Sequence, residues 1–442
     1  MTTTMLLLRS SRSFFSPFST VALRRRRRSR TQRSTPSSPA AANFVFFTSM
    51  FKRALYANRS EKDYLEYPNE EGETLFSKSS ERSNGLVTVT KFGPHWRSLR
   101  FNDVEQGLAW VEKETERMDG KVLAYEYLRA MAAMTAAHRM LSSAAAASDR
   151  EEEEGKKRDG MLMIGMGSGA LPFFMQTHFN SAFEMETVEH DPVVIEAIER
   201  TCFNRDAMPF RCVVDDAREY LETKVASGSL DVISMDAFDG GGNVPEHLIS
   251  REFFRLCGEK LRDHHRSSSN RRSMFIMNCF NGVRGSTARE FVHVICARLE
   301  KSIGPVMTIP VHDQPCNVIV VALKRSSEEE EEDVRARYSR EAIAQSARAA
   351  FKEGNAKEWD AGERVEGLFW VVDCDEKEKT MREIEPNTMS DEKKNQNKKN
   401  REGKYRGRNG TYMPKEFAEN VEVYEGQITD AHSYANDEEK SV

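Results

Sequence analysis

Four short stretches of this chain carry residue types that could bind a nucleoside and move a proton. The first is MLMIGMGSGAL, Met161 to Leu171. An apolar run ends in Gly165, Gly167 and Gly169, and a helical pattern follows at once. Glycines there let the backbone turn tightly and let a ligand come close, next to a helix N-terminus that favours polar or anionic groups. The second stretch is VEHDP. Its Glu189 stands about twenty residues past the loop, the spacing at which a carboxylate can accept both hydroxyls of a ribose. Asp191 reads as an N-cap for a helix starting at Pro192. The third is VVDDAREYL. Either Asp215 or Asp216 can take a hydrogen bond from an adenine amino group, and the other can cap the following helix. The fourth is LDVISMDAFDGG. Asp236 and Asp239 close an apolar run, and two carboxylates in a cleft suit holding a cation or taking a proton from an amine. DAFDGG is also good turn chemistry, and Gly240–Gly242 could hinge a lid.

The elements around these stretches alternate. Apolar runs at 161–165, 184–188, 210–214, 230–235 and 273–279 are separated by helical patterns at 170–179, 193–202, 217–226 and 248–261. A helix at 288–301 and strands at 306–309 and 317–323 follow. Repeated β-α units predict a mostly parallel sheet with helices on both faces, and strands buried on both faces should be apolar throughout, as these are. Ligands of open α/β sheets sit at the C-terminal ends of the strands, which is where all four stretches fall. Upstream, 86–89 and 97–101 alternate like half-buried strands, and an Ala-, Leu- and Met-rich helix is expected over 121–141.

The chain has 442 residues and a formal charge of −5. Near-neutral charge gives no push toward nucleic acid. No apolar run is long enough to span a membrane. Seven cysteines are scattered with no C-x-x-C pair, which points to a reducing compartment and small buried hydrophobes, with no zinc site. The first sixty residues hold no Asp or Glu and include the run Arg24–Arg28. Such acid-poor, Arg- and Ser-rich leaders read as organelle transit peptides, with chloroplast preferred to mitochondrion. The chain is therefore divided into a disordered transit segment (1–60), a hairpin-and-helix segment (85–150), a nucleoside-binding domain (160–324) and a charged, largely disordered extension (325–442). Within the extension, 342–351 could form a helix and 368–372 a strand. The charged blocks 151–158, 263–272 and 326–333 read as solvated insertions.

These stretches, in this order and spacing, resemble the spermidine synthase-like proteins, a polyamine aminopropyltransferase branch of the class I methyltransferase fold. The resemblance covers about Leu86 to Leu323. It implies a Rossmann-like α/β fold whose seven-stranded sheet is mostly parallel with its last strand antiparallel, preceded by a small β-hairpin segment. SLRFNDVEQG is similar to the family's hairpin and places a ligand-binding glutamine on Gln106. AYEYLRAM resembles the helix carrying a substrate-holding tyrosine, placed on Tyr127. The resemblance further implies decarboxylated S-adenosylmethionine as donor, a polyamine as acceptor, Asp236 as proton acceptor, Asp239 and Tyr127 holding the amine, and no metal. A homodimer is possible for such proteins.

Ser168 stands where the family's glycine loop usually carries an aspartate facing the amine end of the decarboxylated donor. A serine removes that discrimination, and its hydroxyl could donate to the carboxylate of intact S-adenosylmethionine. Three readings follow: aminopropyl transfer to an amine, methyl transfer from S-adenosylmethionine, and a non-catalytic binding protein.

Overall fold

The computed structural model describes residues 72–384, except 83–84, 103, 147–157, 241, 265–271, 282–286, 312–313, 315, 326–330 and 376–379. The expected transit segment and the chain from 385 onward lie outside the described residues, as does most of the charged block 151–158.

A four-stranded antiparallel meander opens this region: β1 (Glu73–Ser80), β2 (Gly85–Phe92), β3 (Trp96–Phe101) and β4 (Val104–Trp110). The two expected strands are β2 and β3, and β1 begins twelve residues before the expected start. Val87, Val89, Leu99 and Leu108 are buried and form its apolar side. The helix α1 (Glu126–Ala146) follows; its Ala-, Leu- and Met-rich sequence has high helix propensity.

The second sheet is built from β5 (Asp159–Ile164), β6 (Phe183–Glu189), β7 (Cys212–Val214), β8 (Val232–Met235), β9 (Met274–Phe280), β10 (Val306–Pro310), β11 (Asn317–Leu323), β12 (Phe369–Asp375) and β13 (Thr380–Ile384). Its order is β13-β12-β10-β11-β9-β8-β5-β6-β7. Strands β7, β6, β5, β8 and β9 run parallel, and β11 is antiparallel to both β9 and β10. This is the class I methyltransferase arrangement, with the strand order reversing at β5 and β8. Both faces of the sheet are covered. Met161 and Met163 pack into one apolar cluster while Leu162 and Ile164 pack into the other. The period of two along a strand buried on both faces produces that split.

The covering helices are α2 (Ala170–Phe179), α3 (Pro192–Cys202), α4 (Ala217–Lys224), α5 (Arg251–Lys260) and α6 (Thr287–Ser302). Asp191 caps α3 as expected, accepting the Val193 N–H at 2.9 Å with Pro192 at the first position. Cys202, Cys257, Cys279 and Cys296 are buried among apolar side chains.

Order does not end near Lys324. Two further helices, α7 (Glu331–Arg337) and α8 (Arg340–Glu353), lead to β12 and β13, which extend the sheet beyond β10. The expectation of a largely disordered extension from 325 is corrected for 331–375 and 380–384. Charge composition dominates that segment, but Val334, Tyr338, Ile343, Ala347, Val365, Leu368 and Trp370 are all buried. Spaced apolar residues suffice when a neighbouring surface accepts them. The last residues of the acidic block, 331–333, likewise lie in α7, where Val334 is buried.

Candidate active site

The reversal of strand order leaves a crevice at the C-terminal ends of β5 and β8. Backbone proximity shapes it. Gly165 has φ +86°, and a Cβ there would lie 2.3 Å from the Asp236 carbonyl oxygen. Only glycine lets the end of β5 lie this close to the end of β8. Gly107 on β4 plays the matching part from the meander. Its missing Cβ would stand 2.7 Å from the Ser168 backbone nitrogen and 2.9 Å from the Ser168 Cβ. The meander thus packs on the glycine loop, and the two close a cleft. Gln106, Tyr127, Gly165, Gly167, Ser168 and Asp236 line it, along with Ser234 and apolar groups such as Met163 and Leu171.

Asp236 is the charged group of that lining. It is half-buried. Burial raises its carboxyl from 3.8 to about 6, against two hydrogen bonds that pull it down, from the Asn278 amide and the Tyr127 hydroxyl. The Asn278 Nδ2 lies 3.0 Å from Asp236 Oδ1. Burial also pushes the Tyr127 hydroxyl well above its ordinary value, and the charge of Asp236 adds to the shift. The result is a carboxylate that is a stronger base than an exposed aspartate and has two fixed donors.

Sequence reading missed Asn278. It is the polar residue of an otherwise apolar strand, MFIMNCF, and lies 3% exposed. Asn317, also buried, donates to its Oδ1 at 3.0 Å and so turns its amide toward Asp236. A lone asparagine at the C-terminal end of a buried strand was the available signal. Glu105 and Tyr125 were missed too. The Tyr125 hydroxyl and the Ser98 hydroxyl both donate to Glu105, and the Tyr125 ring stacks on Tyr127 at 5.5 Å. Gln314 accepts the Tyr127 backbone N–H at 3.0 Å, satisfying one of the open donors at the start of α1.

The other predicted residues lie along the same edge but outside the lining of the cleft. Glu189 is 8% exposed. Its oxygens accept the Met166 N–H at 3.0 Å and the Asp191 N–H at 2.9 Å, so it ties the glycine loop to the end of β6. Burial raises its pKa despite these donors. Asp216 is the N-cap of α4, accepting from Arg218 and Glu219 N–H groups and meeting His247 Nε2 at 2.9 Å. Burial works to raise its carboxyl, but those hydrogen bonds outweigh it and hold the group below the usual range. Asp215 accepts the N–H of Asp216 at 2.9 Å. Of this acid pair, Asp216 is therefore the cap.

Asp239 is exposed in a turn, its carboxylate accepting the Asn243 N–H at 2.8 Å and its carbonyl the Gln106 amide at 3.2 Å. Gly169, φ +78°, precedes α2. The Ser168 hydroxyl donates to the Leu108 carbonyl at 3.2 Å, so it is engaged with the meander. Among the described residues no group of three or more His, Cys, Asp or Glu side chains is placed to hold a metal ion, and no helix is long and apolar enough to cross a membrane.

No protein-family model matches the chain. A stretch of 98 residues is 36% identical to the polyamine aminopropyltransferase of Vibrio vulnificus strain CMCP6. That stretch is 22% of this chain and 32% of the relative, so the match spans about a third of the relative's length. Among solved structures, the spermidine synthase of Thermotoga maritima superimposes with a TM-score of 0.40 at 14% identity, over 68% of this chain and 100% of that one. Human methyltransferase-like protein 13 in complex with SAH gives 0.39 at 17% identity, over 53% and 96%.

Proposed function

We propose that this protein transfers an aminopropyl group from decarboxylated S-adenosylmethionine to an amine of a polyamine. The observation that carries the proposal is Asp236, raised to about 6 and held by Tyr127 and Asn278 at the mouth of the glycine loop. The sequence similarity to a polyamine aminopropyltransferase supports it.

The residues fit a cationic donor. Among the described residues, the lining of the cleft includes an aspartate and no Lys or Arg, so a sulfonium with a free amine meets opposite charge. The carboxylate of intact S-adenosylmethionine would find no cationic partner there, and the Ser168 hydroxyl is engaged by Leu108. Bound, the donor supplies an electrophilic carbon next to a positively charged sulfur. The acceptor nitrogen attacks that carbon, the C–N bond forms as the C–S bond breaks, and the electron pair leaves on sulfur. The proton of the nitrogen passes to Asp236, whose raised pKa brings it closer to neutral pH than an ordinary aspartate. Tyr127 keeps the carboxylate aimed, and Gln106, in the lining of the cleft, donates to the Asp239 carbonyl and ties the β4 strand to the loop after β8. Glu189 and Asp215 would hold ribose and adenine.

Calorimetric titration with the two forms of the donor tests this reading. Tighter binding of the decarboxylated form, with release of methylthioadenosine in the presence of a diamine, is the expected result. Tighter binding of S-adenosylmethionine with methyl transfer would replace it with the methyltransferase reading, and binding without turnover of either would favour a non-catalytic role. The acid-free leader supports an organellar, first of all chloroplast, location, which a fluorescent fusion of residues 1–60 would test.

A further inference from the structure

The segment beyond the seven-stranded domain reaches the first turn of α1. Three consecutive residues there make three separate attachments. Tyr125 donates to Glu105, Tyr127 hydrogen-bonds Asp236, and Glu126 between them is gripped by two arginines. Arg129 Nη1 lies 2.9 Å from Glu126 Oε1, and Arg364 Nε lies 2.6 Å from Glu126 Oε2. All three side chains are buried, at 5%, 10% and 6% exposure for Arg129, Glu126 and Arg364. Arg129 also donates to the Leu123 carbonyl at 2.9 Å, and both guanidinium groups lie over Trp359, at 5.7 and 6.0 Å from a ring centroid.

Trp359 and Arg364 belong to the stretch between α8 and β12. A buried ion triad is weak evidence of net stability, because desolvation of the charges offsets much of their attraction. Its effect is positional: Arg129 hydrogen-bonds one oxygen of Glu126 and the charge of Arg364 lies against the other, so the carboxylate is held from both sides.

We propose that Arg364 is a positioning residue for the tyrosine–aspartate pair: by clamping Glu126 against Arg129 it fixes the turn of α1 that aims Tyr127 at Asp236. The inference rests on the aminopropyl-transfer reading for its kinetic consequence and on the geometry alone for its structural one. It makes the segment 359–364 part of the active unit, although it lies outside the sheet that forms the cleft.

The test uses the full chain with Arg364→Gln, Arg364→Lys, Tyr127→Phe and the double variant Tyr127→Phe/Arg364→Gln. Misaiming a catalytic group by about 1 Å can cost up to ~100-fold in rate. Arg364→Gln is expected to lose about tenfold in kcat, with the donor KM within about twofold of wild type. The acid limb of its pH profile moves upward, in the same direction as in Tyr127→Phe, because Asp236 loses a donor. Arg364→Lys, which keeps the charge without the fork, recovers part of both effects and serves if Arg364→Gln does not fold. The double variant is no slower than Tyr127→Phe alone, since residues acting through one contact are not additive.

An equal loss from Arg364→Gln in both backgrounds, or a slower variant with an unmoved acid limb, would overturn the proposal. Hydrogen exchange of peptides covering 123–130 gives a readout independent of turnover. Faster exchange there in Arg364→Gln supports the clamp, and unchanged exchange refutes it. A wild-type protein that transfers no aminopropyl group would sink the functional reading, and exchange would then decide the clamp by itself.

Discussion

Asp236 should cost the folded protein stability at the pH where it is useful. The perturbation is Asp236→Asn. Folding raises this carboxyl from 3.8 to about 6. At about 1.4 kcal/mol per pKa unit the shift corresponds to about 3 kcal/mol, a ceiling that solvent at this half-buried site lowers to about 1–2 kcal/mol. The sign follows from linkage. A folded-state pKa above the unfolded one means folding takes up protons between the two values. The contribution is favourable below pH ~4 and is lost as pH rises through about 6.

Above pH 7 the wild type therefore carries a buried charge that the asparagine variant lacks. The substituted amide would keep an oxygen for the Asn278 side chain, so the packing survives the change. Denaturant titration should find the variant more stable by about 1–2 kcal/mol at pH 8, with the difference shrinking toward zero by pH ~4, while turnover falls at least ~100-fold as expected for loss of a general base. A variant less stable than wild type at pH 8, or one whose gain does not change with pH, would refute the account of Asp236 as a desolvated base.

Asn278→Leu removes a donor to the Asp236 carboxylate. A hydrogen bond to a charged group contributes about 1.5–3 kcal/mol, so the acid limb of the rate profile should move up by about 1–2 pH units with little change on the alkaline side. Gly107→Ala places a methyl 2.7 Å from the Ser168 backbone nitrogen. Backbone cannot yield cheaply, so thermal unfolding should show a loss of about 1–3 kcal/mol and calorimetry a donor affinity at least ~10-fold weaker. Ser168→Asp puts a charge beside the Leu108 carbonyl that now accepts the serine hydroxyl. Equilibrium unfolding should show it destabilised by about 1–3 kcal/mol at pH 7, and any gain in affinity for the decarboxylated donor should be read against that loss.

The sequence alone determined the β-α alternation, the glycine loop and the acids placed just after the strands. Each is a local pattern: period two or 3.6 in the apolar residues, glycine where the chain must turn, a carboxylate where a strand stops. The cap on α3 and the antiparallel final strand of the seven were legible in the same way, the second through the resemblance.

What only the tertiary structure decided concerns partners far apart in the chain. Asn278 acquires its meaning from Asp236, forty-two residues earlier, and Glu126 from Arg364. Asp216 showed itself as the cap of its pair only when α4 and His247 were in place, and the Ser168 hydroxyl donates to the Leu108 carbonyl, sixty residues earlier. The order of residues 331–375 was hidden by their charge, because a strand or helix in that stretch is stable only against the sheet edge and α1 that receive it. A hydrogen bond or an ion pair depends on position in space, and a single sequence records only position along the chain.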